Sequence, residues 1–262
     1  MPIAVHAALR RLSQAEFGEL AYRAMGCLFE IHQDLGRLFD EQVYQRELAH
    51  RMPEARIGTP IEVTHGSFRK RYFLDVLLGP GALLELKTVE ALVPRHRAQV
   101  MHYLMLTELA HAKLVNLRPE SVEHEFVNCG LTRADRGAFT TDTRAWNDRL
   151  PGARSFREIL LELLRDWGAG LDTQLYTEAL THFLGGETRV WRPVPVRAED
   201  HALGHQRMRL AAPGVAFVVT AFGAPEPGFE RHLRRLLDHT ELDAVLWADV
   251  GVKKLTLKGL EK

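Results

Sequence analysis

One stretch decides the fold: Tyr72-Phe-Leu-Asp75-Val-Leu-Leu-Gly-Pro-Gly81-Ala-Leu-Leu-Glu85-Leu-Lys87. Its apolar runs break at Gly79-Pro80-Gly81, which is typical of a tight turn between two short strands. A hairpin symmetric about Pro80 places Asp75 opposite Glu85, and Lys87 follows on the same face because side chains alternate along a strand. The other face is entirely apolar and is predicted to lie in the core: Leu74, Val76, Leu78, Ala82, Leu84 and Leu86.

The opposed pair Asp75 and Glu85 is unusual, because like charges directly across a strand pair repel each other. A divalent cation between the two carboxylates would remove this penalty, since Mg²⁺ is commonly held by one or two carboxylates. The alternative is that Glu85 and Lys87 form part of a solvated sheet face. The rest of the chain has to decide between these readings.

Composition restricts the class of protein. A chain of 262 residues can form one large domain or two ordinary ones, and 46% apolar with 26% charged residues is typical of a globular protein. The formal net charge is zero, so contact with nucleic acid requires a local basic patch. Cys27 and Cys129 have no zinc-site spacing, and no apolar run has the length of a membrane span. We therefore expect a cytoplasmic protein without a membrane partner.

The sequence pattern predicts helices and strands on both sides of the hairpin. Ser13 to Glu16 has the form of a capping box ahead of a helix that ends near Gly36, and a second helix carrying Glu41 ends before Pro53. A strand is predicted over 57–64, followed by the hairpin. Pro94 opens a helix to about residue 109, and strands are predicted over 112–117 and 122–127, the last at a sheet edge.

Several short motifs occur in a defined order between residues 25 and 118. They are His32-x-x-Leu35-Gly36, Glu41-x-x-Tyr44, Leu74-Asp75, Glu85-Leu-Lys87, His96-x-x-Gln99-x-x-x-Tyr103-Leu104 and Leu114-Val-Asn116. In this order and spacing the sequence resembles the GxxExxY proteins of the PD-(D/E)XK nuclease superfamily. The Gly that lies three residues before the Glu in that family is Leu38 here, so the loop ahead of Glu41 is expected to differ. The resemblance implies an α/β fold with a restriction-endonuclease-like core, a mixed sheet flanked by helices.

The resemblance also implies a metal site. Asp75 and Glu85 would bind Mg²⁺ or Mn²⁺ directly, together with the main-chain carbonyl of Leu86, and Glu41 would complete the shell through water. Lys87 would place its ammonium group near the attacking water and the phosphate. A lysine beside anions keeps its charge. We therefore assign Lys87 an electrostatic and water-orienting role before that of a general base. For Glu41, a solvated position on the helix is the competing interpretation.

Further residues would serve catalysis or binding. Gln99 and Tyr103 resemble the Gln-x-x-x-Tyr helix motif of RecB-like nucleases and would position Lys87 or a phosphate. Alternatively, Gln99 is a residue near the start of the helix and Tyr103 is a core aromatic. His96 is equally interpretable as a phosphate contact or as a surface residue. Several residues could supply positive charge around the acidic site: His65, Arg69, Lys70, Arg71, Arg95, His96 and Arg97. They would bind nucleic acid, or they simply form a solvated face.

The remaining half of the chain resembles the first. Residues 34–44 align with 166–176, and after one inserted residue Pro80-Gly81 aligns with Pro213-Gly214 and Thr107-Glu-Leu109 with Thr240-Glu-Leu242. We interpret this as a tandem duplication, with a nuclease-like domain over 1–129 and a degenerate copy over 130–262. The alternative is chance agreement between segments of similar class. The aligned chemistry is replaced throughout: Glu41 by Thr173, Asp75 by Met208, Glu85 by Val218, Lys87 by Thr220 and Gln99 by His232.

The sequence thus predicts a Mg²⁺- or Mn²⁺-dependent nuclease acting on DNA, with an inactive second copy packed as a pseudo-dimer within the chain. A homo-oligomer is a further expectation. The alternative function is a non-catalytic nucleic-acid-binding or scaffold protein that keeps the nuclease fold. A metal-stabilised structural module, which would bind no phosphate, is the third class.

Overall fold

The computed structural model describes residues 2–199, 201–222 and 227–262. The chain divides into two compact units, Met1–Arg133 (unit 1) and Ala134–Lys262 (unit 2). The predicted division at residues 129 and 130 lies close to this boundary. Each unit contains one mixed six-stranded sheet flanked by helices, so the class is α/β. Within the described ranges, no helix has the length and apolar character needed to cross a membrane.

Unit 1 is built on a sheet with strands in the order β1-β2-β3-β4-β5-β6, in which only β4 and β5 run parallel. Its strands are β1 (Ile3–Val5), β2 (Ala55–His65), β3 (Phe68–Leu78), β4 (Ala82–Lys87), β5 (His111–Asn116) and β6 (Glu123–Asn128). Its helices are α1 (Gln14–Leu35), α2 (Glu41–Arg51) and α3 (Pro94–Thr107).

Local sequence signals fix the ends of these helices. The Ser13 hydroxyl accepts a hydrogen bond from the Glu16 amide and the Glu16 carboxylate accepts one from the Ser13 amide, which confirms the predicted capping box. Gly36 ends α1 with φ of 72°, a left-handed value that favours glycine. α2 ends at Arg51, before Pro53, and α3 begins at Pro94, both as predicted.

The hairpin of β3 and β4 has the register that symmetry about Pro80 predicts. Val76 pairs with Leu84 and Leu78 pairs with Ala82. The apolar residues of the predicted core face are all fully buried. Most of them form a cluster with α1 and α2 (Val76, Leu78, Ala82, Leu84 and Leu86). At about 25 cal/mol per Å² of buried apolar surface, this face contributes strongly to the stability of unit 1.

Two features of the sheet differ from the sequence expectation or extend it. β1 pairs with Ile61–Val63 of β2 and adds a sixth strand that was not predicted, because three residues carry no readable periodicity. β6 lies at the other edge, as predicted. The parallel pairing aligns Lys87 with Asn116, so the carboxyl ends of β4 and β5 meet at one edge of the sheet.

The short helix α4 (Arg133–Gly137) precedes the sheet of unit 2, whose strand order is β7-β12-β11-β10-β9-β8. The strands are β7 (Thr140–Ala145), β8 (Trp191–Ala198), β9 (His201–Ala212), β10 (Val215–Thr220), β11 (Ala244–Val250) and β12 (Lys254–Glu261). The helices are α5 (Ala153–Trp167), α6 (Thr173–Phe183), α7 (Glu187–Val190) and α8 (Pro227–Asp238).

Read from β8 to β12, the second sheet repeats the order and directions of β2 to β6. β10 and β11 are parallel, and their register aligns Thr220 with Asp249. The sixth strand differs, because β1 lies beside β2 whereas β7 lies beside β12. The core of unit 2 includes a cluster between α8 and the sheet, formed around Leu233, Leu237, Val245 and Trp247.

Candidate active site

Three elements of unit 1 bring Lys87 and the predicted acidic residues together. Asp75 lies in β3, Glu85 and Lys87 lie in β4, and Glu41 is the first residue of α2. Strand alternation gives Glu85 and Lys87 the same face, opposite to the core residue Leu86. Glu41 reaches the same place because α2 begins at this end of the sheet.

The ammonium group of Lys87 lies at the centre of the site. Its Nζ atom is 2.7 Å from Oε1 of Glu85 and 2.9 Å from the main-chain oxygen of Leu86. It is also 3.7 Å from Oδ2 of Asp75 and 3.6 Å from Oε2 of Glu41. The oxygens of all four predicted metal ligands therefore converge on one point, and a positive charge already occupies that point.

The three carboxylates are buried to different degrees. The side chain of Glu85 is fully buried, that of Asp75 is 16% exposed and that of Glu41 is 29% exposed. Burial and, next, the Asp75 carboxylate raise the pKa of Glu85 to about 8. The same two causes raise the pKa of Glu41 to about 7. Burial also raises the pKa of Asp75.

Lys87 remains charged in this setting. Burial alone would lower its pKa, but the carboxylates of Glu85 and Asp75 raise it above the ordinary value. One ammonium group thus faces three carboxyl groups. Glu85 also has a second oxygen, Oε2, that is buried and has no hydrogen-bond partner in the described part of the chain. A buried carboxylate oxygen without a partner is costly unless a ligand or cation completes its environment.

This donor set fits a hard divalent cation. Carboxylate and carbonyl oxygens are the ligands that Mg²⁺ prefers, and it often takes one or two carboxylates from the protein and completes its shell with water. No group of three or more His, Cys, Asp and Glu side chains is placed to hold a metal by itself among residues 2–199, 201–222 and 227–262. Glu41, Asp75 and Glu85 are arranged around the Lys87 ammonium group and do not form a three-ligand cluster of their own.

The end of β4 is held in place by hydrogen bonds that the motifs did not predict. Oδ2 of Asp75 accepts a hydrogen bond of 2.9 Å from the Leu86 amide, which ties β3 to β4 at the site. Asn116 is fully buried, and its side chain accepts from the Val89 amide and donates to the Val89 carbonyl. The chain that leaves Lys87 is therefore fixed from β5. Asn116 belongs to the quoted motifs, but its partner lies 27 residues away in sequence.

A second set of contacts positions the segment ahead of Glu41. The Tyr44 hydroxyl donates to the Gly36 carbonyl over 2.7 Å. The Arg118 guanidinium donates to the carbonyls of Arg37 and Thr88, so it joins this segment to the residue that follows Lys87. Leu38, at the position of the family's glycine, is 78% exposed, so its side chain is accommodated without core contacts. No sequence signal identified Arg118.

Gln99 and Tyr103 form a polar pair on α3. The Gln99 amide donates to the Tyr103 hydroxyl over 3.1 Å, while Lys87 donates to Glu85 and to the Leu86 carbonyl. Burial raises the pKa of Tyr103, and the charges of Glu85, Asp75 and Lys87 also affect it. The two residues therefore bond to each other, whereas the hydrogen bonds of Lys87 go to Glu85 and to the Leu86 carbonyl.

The predicted basic residues lie on two elements. On the β2–β3 hairpin, Arg69 is exposed, Arg71 is 3.4 Å from Glu62, and Lys70 lies over the Tyr72 ring at 5.5 Å; His65 ends β2. At the start of α3, Arg95 is exposed and Arg97 is 3.1 Å from Glu125 on β6.

The expected surface position of His96 needs correction. His96 is only 6% exposed, and its Nδ1 atom accepts a hydrogen bond from the Val93 amide at the start of α3. Burial, then Arg95 and Lys87, lowers its pKa. His96 therefore caps this helix and is not part of the exposed basic surface, because helix N-termini leave amides that need acceptors.

Comparison with known proteins supports a nuclease-like unit 1. A family model described as the PD-(D/E)XK nuclease superfamily matches residues 18–128, the range that contains every residue of the site. A search of curated proteins found no match. A solved structure titled "Crystal structure of SSO0001" is 19% identical, with a TM-score of 0.29, and the match covers 46% of this chain and 61% of that chain. A TM-score this low is no evidence of a shared overall fold.

Proposed function

We propose that unit 1 is a Mg²⁺- or Mn²⁺-dependent nuclease that hydrolyses phosphodiester bonds in DNA, of the GxxExxY type. The observation that carries this proposal is the convergence of four oxygen donors on the Lys87 ammonium group. A structural ion pair needs one carboxylate, and one buried and two partly buried acids around one lysine are costly without a further cation. The match of residues 18–128 to a nuclease superfamily supports the same chemistry.

In this proposal Asp75, Glu85 and the Leu86 carbonyl hold the cation, and Glu41 contributes through water. When bound, the cation supplies Lewis-acid stabilisation of the phosphate and lowers the pKa of a bound water. The protein fixes these donors in advance: the Leu86 amide holds Asp75, and Asn116 holds the chain after Lys87. Fixed donors need no reorganisation during the reaction, which is how electrostatic stabilisation becomes effective.

Lys87 stabilises negative charge and orients the attacking water. Its raised pKa keeps it protonated at neutral pH, so it does not accept the proton of the water. With a cation on Asp75 and Glu85, Lys87 would lose two of its partners and would have charge available for the phosphate. Gln99 and Tyr103 supply an amide and a hydroxyl beside it.

We further propose that unit 2 is a degenerate copy of unit 1. Three pairs of matched hydrogen bonds support a common origin. Tyr176 donates to the Gly168 carbonyl as Tyr44 does to Gly36. The Phe222 amide donates to Asp249 as the Val89 amide does to Asn116, and the Thr240 hydroxyl donates to the Leu236 carbonyl as Thr107 does to Tyr103. The strongest of these is the bond of Val89 to Asn116 and of Phe222 to Asp249, because each joins residues 27 apart in sequence.

In unit 2 a threonine stands at the position aligned with Lys87. Thr220, aligned with Lys87, donates to the Asp249 carboxylate and accepts from the Trp247 indole. Met208 and Val218 stand where unit 1 has Asp75 and Glu85. The local polar groups are thus satisfied within the unit and leave no carboxylate pair for a cation. On this proposal the catalytic function of the chain depends on unit 1 alone.

The test is cleavage of labelled single-stranded, duplex and branched DNA and of RNA by the purified protein, with Mg²⁺, Mn²⁺ or EDTA. We expect metal-dependent cleavage that falls by about 10²- to 10³-fold in Lys87→Ala, the loss typical of one electrostatic catalytic group. Asp75→Asn is the second variant, because it keeps the lysine and alters a ligand only.

Cleavage that persists unchanged in both variants would come from a contaminant or from another site. Binding without cleavage by the wild type under every condition would favour the non-catalytic nucleic-acid-binding function instead. Preference for RNA over DNA would keep the chemistry and correct the substrate.

A further inference from the structure

Two arginines at the edge of the acidic site bond to each other's main chain. Nη1 of Arg118 donates to the Arg37 carbonyl over 3.0 Å, and Nη1 of Arg37 donates to the Arg118 carbonyl over 3.3 Å. Each guanidinium group therefore lies against the other residue, although the two are 81 positions apart in sequence.

This arginine pair, Arg37 and Arg118, lies next to the proposed catalytic residues. Nε of Arg118 also donates to the Thr88 carbonyl over 3.3 Å, and Thr88 directly follows Lys87. Arg37 lies in the loop before α2, four residues ahead of Glu41. The pair is thus placed where the segments that carry Glu41 and Lys87 meet.

The main chain at Arg118 is fixed by the strand that precedes it. The Arg118 amide donates to Oδ1 of Asn116 over 3.3 Å. The Leu117 amide donates to the Lys87 carbonyl over 2.8 Å. A ligand that binds here therefore meets a backbone that is already ordered, which lowers the entropic cost of binding.

The positive charges of the arginine pair are not neutralised by the protein. In the part of the chain that the structure describes, neither guanidinium group has a carboxylate partner, and the acceptors of both are uncharged carbonyls. Arg37 is exposed and Arg118 is half-buried. Two neighbouring cations repel each other, and an anion bound between them would remove this repulsion.

Both guanidinium groups also have donors to spare. Each has five N–H donors in a planar fork. The carbonyls take Nε and Nη1 of Arg118 and Nη1 of Arg37, and neither Nη2 atom is bonded within the described residues. The carbonyls therefore fix how the forks are oriented and leave donors that suit the oxygens of a phosphodiester.

Unit 2 shows how a single arginine holds the aligned loop. Arg136 is fully buried, and its Nη1 atom donates to the carbonyls of Trp167 and Ala169. On the proposed alignment Ala169 corresponds to Arg37. One buried guanidinium group is enough to hold such a loop, so a second, exposed one in unit 1 calls for another reason.

We propose that Arg37 and Arg118 together bind one backbone phosphate of the nucleic acid, next to the phosphate that is cleaved. The inference rests on the proposed nuclease function and adds a phosphate site to it. Three carboxylates repel a phosphodiester, and two cations beside them counter this repulsion. A phosphate contact positions the strand and does not read its sequence.

Binding is measured by fluorescence anisotropy of a labelled 20-nucleotide single strand, with the full-length protein in EDTA so that cleavage does not interfere. Arg37→Gln keeps a donor for the Arg118 carbonyl and removes the charge, so it should weaken binding about tenfold. Arg37→Lys keeps the charge without the fork and should bind with intermediate affinity. Thermal unfolding of both variants should match the wild type.

Arg11→Gln is the matched control. Arg11 is also exposed and donates to two carbonyls, those of Cys129 and Gly130. It lies at the opposite end of the sheet, because β6 reaches Asn128 beside the start of β5 whereas Lys87 is aligned with the end of β5. Its substitution should leave the affinity unchanged.

Salt dependence tests whether the two arginines share one phosphate. In the double variant of Arg37→Gln and Arg118→Gln, the slope of log affinity against log salt should fall by about 0.7, the value for one phosphate on a single strand. An unchanged slope, or wild-type affinity in Arg37→Gln, would overturn this inference. Because binding is scored without cleavage, these outcomes remain separate from the failure of the nuclease assay.

Discussion

Lys87 carries one positive charge among three acidic side chains, and this imbalance is the central feature at the residue scale. Glu85 is fully buried, and its pKa is raised to about 8. Without a metal, its carboxyl group therefore holds a proton at neutral pH, in the place where a cation would bind. The same imbalance explains why the lysine contacts every predicted ligand. Stability, pH dependence and metal affinity should therefore be linked through these residues.

Glu85→Gln should stabilise the metal-free protein at pH 8.5. One carboxylate fewer still leaves two for Lys87, so the ammonium group keeps partners while the excess negative charge falls. We expect the free energy of unfolding to rise by about 1–2 kcal/mol at pH 8.5. Urea denaturation in EDTA at pH 4.5 and at pH 8.5 measures this.

The sign of the pH effect follows from the direction of the shift. A carboxyl group whose folded pKa is raised imposes no cost below its unfolded pKa, and the folded state loses stability as pH rises toward the folded value of about 8. The gain from Glu85→Gln should therefore be small at pH 4.5 and large at pH 8.5. Equal effects at both pH values would show that Glu85 has an ordinary pKa.

Metal affinity should increase with pH. Mn²⁺ competes with protons on Glu41 and Glu85, whose pKa values are raised to about 7 and about 8. We expect the thermal shift at fixed Mn²⁺ to be several degrees at pH 8.5 and to be nearly absent at pH 5.5. In Glu85→Gln the shift should be lost at both, and an unchanged shift there would place the metal elsewhere.

At the scale of elements, sequence pattern predicted the parts that depend on local chemistry. The turn around Pro80, the capping box at Ser13 and the helix start at Pro94 all have side-chain or backbone causes within a few residues, and the structure confirms them. Because the hairpin register was correct, the neighbourhood of Asp75, Glu85 and Lys87 followed from it.

Contacts between distant elements were not predictable in this way. Arg118 joins the segment before α2 to the end of β4, and His96 turns inward to accept from the Val93 amide. Both contacts depend on how helices and strands pack against each other. A single sequence contains no periodic pattern that predicts such contacts. β1 was missed for a related reason, since its three residues are defined only by pairing with β2.

The loop ahead of Glu41 can be tested with a matched pair of tyrosines. Tyr44→Phe and Tyr176→Phe each remove a hydroxyl that donates to a glycine carbonyl at the end of the preceding helix. Each should cost about 1 kcal/mol of unfolding free energy. Only Tyr44→Phe should also slow cleavage, by about tenfold, because only that loop positions a catalytic carboxylate. An equal loss of activity in both variants would contradict this positioning role.

At the scale of the whole molecule, two units with the same strand order differ in chemistry. The strand order from β2 to β6 in unit 1 recurs from β8 to β12 in unit 2, and the carboxylates and the lysine of the site lie in unit 1. On the proposed alignment unit 2 has Met208, Val218 and Thr220 at these positions, so the charges of unit 1 are not needed for this strand order. A functional reason for them is the more economical explanation.

The most direct measurement is the rate of metal-dependent cleavage of single-stranded DNA by the full chain carrying one change in either unit. Lys87→Ala alters unit 1, and Thr220→Val alters the aligned position of unit 2. The account predicts that Lys87→Ala loses about 10²- to 10³-fold in rate while Thr220→Val retains wild-type activity. Equal rates for Lys87→Ala and the wild type, or loss of cleavage in Thr220→Val with the fold intact, would contradict it.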